Sequence, residues 1–234
     1  MYRSLRADEI VRTVARLRDR VTERFPESGL SKVAAELLQV AEEARSRIAS
    51  VRRPNLALRA VLALAFFGVL ALLVYGVARL GVRLEAPDLA GFVQSLADAL
   101  GIVAFLGAAV LTVTTLDQRL QRRHALQAVH ELRSLAHIVD MHQLTKDPDR
   151  AVPRVPDTAS SPERPLTPFE LTRYLDYCSE MLSLISKLGA LYVQNLYDPV
   201  VLAAVDQVED LANGLSRKIW QKIMILERLA EPAE

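Results

Sequence analysis

The sequence predicts an all-α membrane protein: a two-span transmembrane hairpin with a long helical stalk and a cytoplasmic helical bundle. Three observations carry this reading. Two runs, residues 60–78 and 99–116, hold no charged residue, and each is about the length needed to cross a hydrocarbon core of roughly 30 Å. Outside them, apolar residues recur at spacings of three and four, the period of an amphipathic helix. Nine glycines and 6% aromatics, set against abundant Ala, Leu, Arg and Glu, favour helices over strands.

Residues 1–54 read as N-terminal cytoplasmic helices. Ile10, Val14, Leu17 and Val21 line one face of a helix over 7–25, and Phe25-Pro26-Glu27-Ser28-Gly29 breaks it. Ser31 is the expected N-cap of a second helix, whose seam is Val33, Leu37, Val40, Ala44, Ile48 and Val51. Pro54 ends or kinks that helix, because proline disfavours a helical residue before it. The first span is placed at 55–81, a short outer turn at 82–91 and the second span at 92–116. No proline occurs between Pro87 and Pro148, so one helix is expected from about Phe92 to about Lys146. Its length is about 80 Å, of which about 40 Å is a cytoplasmic stalk at 117–146. Ala125, Ala128, Leu132, Leu135 and Val139 form the seam of that stalk.

Residues 147–167 hold five prolines and read as a linker. A helical hairpin at 168–234 follows. Thr167, Pro168 and Glu170 match a capping box with proline at the first helical position. Leu171, Leu175, Cys178, Leu182, Ile185 and Tyr192 are its seam. Asp198 caps a last helix that begins at Pro199 and carries Val201, Val205, Val208, Ala212, Leu215, Ile219 and Leu226. Each C-terminal helix is about 45 Å long, which matches the stalk, so the hairpin is expected to fold back beside it. Heptad spacing in three helices also allows self-association, and the sequence leaves intrachain and interchain pairing open.

Charge sets the topology. Arg45, Arg47, Arg52, Arg53 and Arg59 precede the first run, and Arg119, Arg122 and Arg123 follow the second. The connecting stretch holds Arg79 and Arg83 against Glu85 and Asp88. The positive-inside rule then puts both termini in the cytoplasm of a multi-pass inner (cytoplasmic) membrane protein. Met1–Leu30 is dense in Arg and acids and lacks the apolar core of a cleavable signal, so the first span is expected to direct insertion. The formal net charge of +1 argues against a nucleic-acid partner, and the lone Cys178 excludes an intrachain disulfide.

A polar path or its mouth is sought among Glu85, Asp88, Gln94, Asp98, Thr112 and Thr115. Asp98 either faces that path and binds a cation or proton, or sits solvated at headgroup level; both readings stay open. Thr112 and Thr115 either line the path or bond their own backbone. Gly68 and Gly76 on the first span, with Ala97, Gly101, Ala104 and Ala108 on the second, are small residues that let helices approach closely in lipid. His124, His130, His137 and His142 lie on the stalk without a Cys pair or HExxH, so no metal is expected. The run 217–223, with the only Trp, either lies on an anionic leaflet or is a bundle helix with solvated cations. No P-loop, GxGxxG, GxSxG or zinc signature is present, which reads as a non-enzymatic chain without a cofactor.

The order over residues 31–145 (cytoplasmic helix, tight transmembrane hairpin, long cytoplasmic helix) resembles the SLATT-type two-transmembrane domains of bacterial conflict systems. The likeness is one of architecture, and the hairpin from Pro168 onward lies outside it. It implies a membrane effector that oligomerises and permeabilises the bilayer. The expected partners are therefore the lipid bilayer, further copies of the chain and a cytoplasmic protein. The leading reading is a self-associating inner-membrane scaffold or signalling module that binds a partner through its helical bundle. The alternative is an oligomeric ion channel or membrane-permeabilising effector.

Overall fold

The computed structural model describes residues 4–51, 64–69, 71, 75, 89–146, 148 and 166–230, and their regular structure is helical throughout. Five long helices are described: α1 (Ala7–Arg24), α2 (Gly29–Val51), α3 (Leu89–Leu144), α4 (Pro168–Asn195) and α5 (Pro199–Ala230). They fall into two units. One comprises Met1–Arg52 with Arg122–Glu234, the other Arg53–Gln121. The all-α class of the sequence reading stands.

Local chemistry explains where these helices begin. At α4, the Thr167 hydroxyl accepts from the Glu170 N–H at 3.2 Å, and the Glu170 carboxylate accepts from the Thr167 N–H at 2.8 Å. This is the reciprocal capping box, with Pro168 occupying a position whose N–H would be unpaired anyway. The Thr167 N–H and hydroxyl hold the Glu170 carboxyl below its ordinary value. At α2 the expected cap is corrected by three residues. The helix starts at Gly29, and it is the Ser28 hydroxyl that accepts from the Ser31 N–H, at 3.1 Å. Ser31 lies inside the first turn, where its own hydroxyl bonds the Ser28 carbonyl at 2.8 Å. The physical reason is reach: a cap side chain serves the N–H three residues on.

The larger unit is a helical bundle with one continuous core. α1 pairs with α2, both pack on α4, and α4 pairs with α5. Side-chain contacts fix the directions. Leu5 bonds Gln194 and Arg20 bonds Glu180, so α1 and α4 run antiparallel. Arg47 reaches Glu131, and Gly29 lies against His142, so α2 and α3 are antiparallel too. Arg122 meets Asp198 and Arg133 meets Gln207, which makes α3 and α5 parallel. Two glycines mark close approaches. A Cβ at Gly29 would collide with the His142 ring, and one at Gly189 would stand 3.4 Å from Val205 Cγ1 and 4.0 Å from Leu132 Cδ1.

The seams read from the sequence fill much of this core, although Val40 of α2 is only partly buried against it and the Val51 side chain lies outside the described residues. Ile10, Val14, Leu17 and Val21 of α1, Leu37 and Ala44 of α2, and Leu175, Cys178, Leu182 and Ile185 of α4 are buried in one cluster. The stalk seam of α3, from Ala125 to Val139, and the α5 seam, from Val201 to Leu226, complete it. At one end of the bundle Phe25 packs edge-on against Tyr174 and Tyr177, with ring centroids 5.4 and 6.2 Å apart. Such pairs add roughly 0.5–1.5 kcal/mol beyond area burial.

In the smaller unit, residues 64–69 are helical, and α3 contributes its residues up to Gln121. Among the described residues, no helix is long and apolar enough to cross a membrane. The first apolar run, 60–78, falls mostly outside the described residues, and several side chains of the second, 99–116, fall outside them as well. The described helices therefore do not by themselves carry the two-span hairpin of the predicted class. Of the outer turn placed at 82–91, residues 82–88 lie outside the described residues, and 89–91 are instead the first residues of α3, which continues its backbone hydrogen bonding back to Leu89. Most of the linker also lies outside the described residues.

Leu132 is fully buried where α3, α4 and α5 meet. Leu132→Ala is expected to destabilise the bundle by roughly 2–5 kcal/mol through lost transfer energy and a residual cavity. Urea unfolding of the full chain, followed by circular dichroism at the helix band, measures it.

Candidate functional site

The buried half of α3 is held at both ends by polar groups of α5. At the first end Asp198 works twice. Its Oδ1 accepts from the N–H groups of Val200 and Val201 at 2.9 and 3.2 Å, capping α5, while Oδ2 accepts from Arg122 Nε at 2.6 Å. Partial burial works to raise the Asp198 pKa. The Arg122 hydrogen bond and the two backbone N–H groups outweigh it and hold the carboxyl below its ordinary value. The Asp-Pro cap is readable in the sequence; the arginine that completes it, 76 positions away, is not.

At the other end Lys222 is the residue that sequence reasoning missed. Its ammonium donates to the Gln143 carbonyl at 2.8 Å and to the Lys146 carbonyl at 3.2 Å. The Gln143 carbonyl, in the last turn of α3, also accepts from the Lys146 N–H at 3.1 Å, and the Lys146 carbonyl lies two residues past the helix end, where the helix dipole favours a cation. Both sequence readings of the run 217–223 had Lys222 solvated or on lipid; it is a C-terminal clasp instead. Ile219 and Ile223 of the same run are core residues, and Trp220 is exposed. Beside the clasp, Lys146 lies 5.3 Å from the Tyr174 ring centroid, and Gln143 Nε2 donates to Asp140 at 2.5 Å. Cys178 is fully buried nearby, and burial pushes its thiol up to about 12 against the opposing pull of Lys222 and Lys146. A thiol so placed is a packing group and not a nucleophile.

The candidate polar path is only partly assembled by the described residues. Glu85, Asp88 and Gly76 lie outside them. Gln94 Nε2 donates to Asp98 Oδ1 at 3.3 Å, one turn apart on an exposed face of α3. Thr112 donates to the Ala108 carbonyl at 2.8 Å, and Thr115 to the Thr112 carbonyl at 2.9 Å. Both hydroxyls are thus spent on their own helix, the second of the two readings of these threonines. The small-residue stripe is open. Ala97, Ala104 and Ala108 are exposed, and a Cβ added at Gly68 or Gly101 would meet nothing within 4 Å among the described residues.

The same segment exposes large apolar side chains in every direction. Residues 100–105 are exposed in succession, including Leu100, Ile102, Val103 and Phe105. At 100° per residue, six consecutive positions pass all the way round the helix.

No catalytic constellation emerges among the described residues. A shallow groove of about 320 Å³ between α1 and α4 is lined by Glu9, Thr13, Glu180, Ser183 and Lys187. Its charges are already engaged: Glu9 with Arg12, Glu180 with Arg20, and Lys187 with the Ser183 hydroxyl at 2.6 Å. His124, His130 and His137 are exposed, His142 packs on Gly29, and no group of metal-ligating side chains is found among the described residues. Compared with known protein families, curated proteins and solved structures, the chain matches none of them.

Two outcomes follow from this geometry. Asp198→Ala, which removes the cap and the Arg122 partner together, is expected to lower the melting temperature more than Asp198→Asn, which keeps a capping oxygen. Because the folded-state pKa of Asp198 is depressed, its contribution is complete above the ordinary value of 3.8 and is lost as pH falls below it. The acid-side loss of melting temperature should therefore be smaller in Asp198→Asn than in the native chain, as thermal unfolding across a pH series reads directly. Cys178 should stay unreactive toward a maleimide in the folded chain and react once denaturant opens the bundle; mass spectrometry of the adduct distinguishes the two.

Proposed function

We propose that this chain is a non-enzymatic, self-associating protein of the inner membrane, whose helical bundle serves on the cytoplasmic side as a scaffold or partner-binding module. The observation that carries the reading is the exposure of α3 around its whole circumference at residues 100–105, within a run that the sequence keeps free of charge from 99 to 116. Water is a poor solvent for such a surface. Lipid, or the same surface of another copy, is a good one, and the open stripe of Gly101, Ala104 and Ala108 suits close helix approach. A second charge-free run at 60–78 supports a hairpin of two spans, and the arginines flanking both runs support cytoplasmic termini.

The scaffold reading is preferred to a conducting assembly because the threonines of the candidate path bond their own backbone. Gln94 and Asp98 also bond each other, which leaves no continuous polar lining among the described residues. Partner binding through the bundle is supported by the exposed helix surface it offers, with Tyr197, Trp220 and Met224 open to solvent.

Three experiments test this proposal. Since Cys178 is buried, it can stay in place while reporters are added. Asp88→Cys should label with an impermeant maleimide from outside intact cells, and Arg123→Cys only after the membrane is opened. Labelling of both, or release of the protein by an alkaline wash, refutes the hairpin. A Cβ added at Gly101 meets nothing within 4 Å among the described residues, and Gly101→Leu extends from there. It should therefore leave helix content and unfolding unchanged while reducing the oligomer seen by cross-linking in detergent. A melting temperature that falls with the oligomer intact would place Gly101 in an intrachain contact. Ion flux from proteoliposomes that changes with Asp98→Asn would replace the scaffold by a conducting assembly.

A further inference from the structure

The two ends of the bundle differ in chemistry. One end gathers the start of α1, the end of α2, the Arg122 turn of α3 and the α4–α5 turn. Leu5 N–H donates to Gln194 Oε1 at 2.7 Å, Arg45 lies 3.8 Å from Asp8, and Arg122 holds Asp198.

Apolar groups are presented there without cover. Tyr197 is 97% exposed at the tip of the α4–α5 turn, and Leu5, Val200 and Leu202 are exposed beside it. At the opposite end the exposed aromatic is treated differently: Phe169 has the guanidinium groups of Arg24 and Arg173 each 5.7 Å from its ring centroid. The rim around Tyr197 is also positive. Each of its carboxylates is tied to an arginine: Asp8 to Arg45, Glu9 to Arg6 and Arg12, Asp198 to Arg122. Arg123 is exposed in addition.

A tyrosine has an apolar ring and a polar tip, which suits it to the boundary between headgroups and acyl chains. Arginines beside it complement lipid phosphates, and a net positive rim is drawn to an anionic leaflet. We propose that this end of the bundle is a lipid-docking surface that seats on an anionic bilayer leaflet, with Tyr197 as the anchor at headgroup depth and Arg6 and Arg123 as the cations that select anionic lipid. The proposal rests on the membrane reading above and adds to it a defined seat for the bundle. Docking there holds the bundle against the leaflet and turns the opposite end toward the cytoplasm.

The test uses the full chain in vesicles. Trp220 is the only tryptophan, so Trp220→Phe removes the native signal. In that background Tyr197→Trp reports on the turn and Leu111→Trp on the apolar run. The native Trp220, about 30 Å along α5 from the turn, is the reference. With brominated phosphatidylglycerol, Tyr197→Trp should be quenched roughly two-fold or more over Trp220. That excess should shrink in brominated phosphatidylcholine, and again when Arg6→Gln and Arg123→Gln are added. Quenching at Leu111→Trp without quenching at Tyr197→Trp overturns the docking surface while the membrane reading stands. Absence of quenching at both removes the two together. Quenching at Tyr197→Trp that ignores lipid charge and the arginine substitutions overturns the anionic selection. A Tyr197→Trp signal shielded from lipid but altered by dilution of the protein assigns the surface to a second copy instead.

Discussion

The Arg122–Asp198 pair determines how α3 enters the bundle, and the packing beyond it depends on that entry. α3 and α5 run parallel, so their register is not set by a tight turn, as it is for α4 and α5. It has to be set by side chains. Asp198 sits where it must in any case to cap α5, and its second oxygen is therefore presented in a fixed direction. Arg122 meets it at one end, and Lys222 meets the last carbonyls of α3 at the other. Slipping α3 by one residue would break both clasps and rotate the seam from Ala125 to Val139 by 100° out of the core.

Between the clasps the bundle is stabilised by apolar burial, and its ion pairs contribute little by comparison. Arg6, Arg12, Arg18, Arg45 and Arg47 form pairs whose side chains stay one-third or more exposed, and such pairs are worth at most about 1 kcal/mol each. Gln143 is the most deeply buried polar side chain among the described residues. It is 2% exposed, its amide nitrogen is bonded to Asp140, and its Oε1 has no hydrogen-bond partner among the described residues. An orphaned buried acceptor costs on the order of 1–3 kcal/mol. It lies beside the Lys222 clasp, so the polar groups that end α3 cleanly also bring that cost into the core.

α3 carries two side-chain patterns along one backbone. At residues 100–105 its side chains are exposed all round; from Ala125 to Val139 a seam at spacings of three and four is buried in the bundle. Nothing in the backbone marks the change, since helical hydrogen bonding is indifferent to what surrounds it. The pattern of side chains marks it: an unbroken apolar run needs an apolar environment on every side, whereas spacings of three and four need one on a single side. The same logic explains why Thr112 and Thr115 donate to their own carbonyls. A hydroxyl on such a segment with no outside acceptor turns back on its helix.

What was legible in the sequence is what local rules control. The seams of all five helices, the Thr167–Glu170 capping box and the Asp198–Pro199 start follow from helical periodicity and from donors that helix termini leave unpaired. Even the misplaced cap at Ser31 is a local slip, because two serines three apart offer two caps and only the start of the helix chooses between them. The partners of Asp198, Lys222 and Gly29 were not legible, since each lies on another helix far away in sequence. A long cation reads as solvated until a helix terminus is brought to it. The sequence by itself determined an all-helical chain with two charge-free runs. Tertiary structure alone decided which helix ends meet, because that depends on the register and direction of packed helices, and apolar periodicity leaves both open.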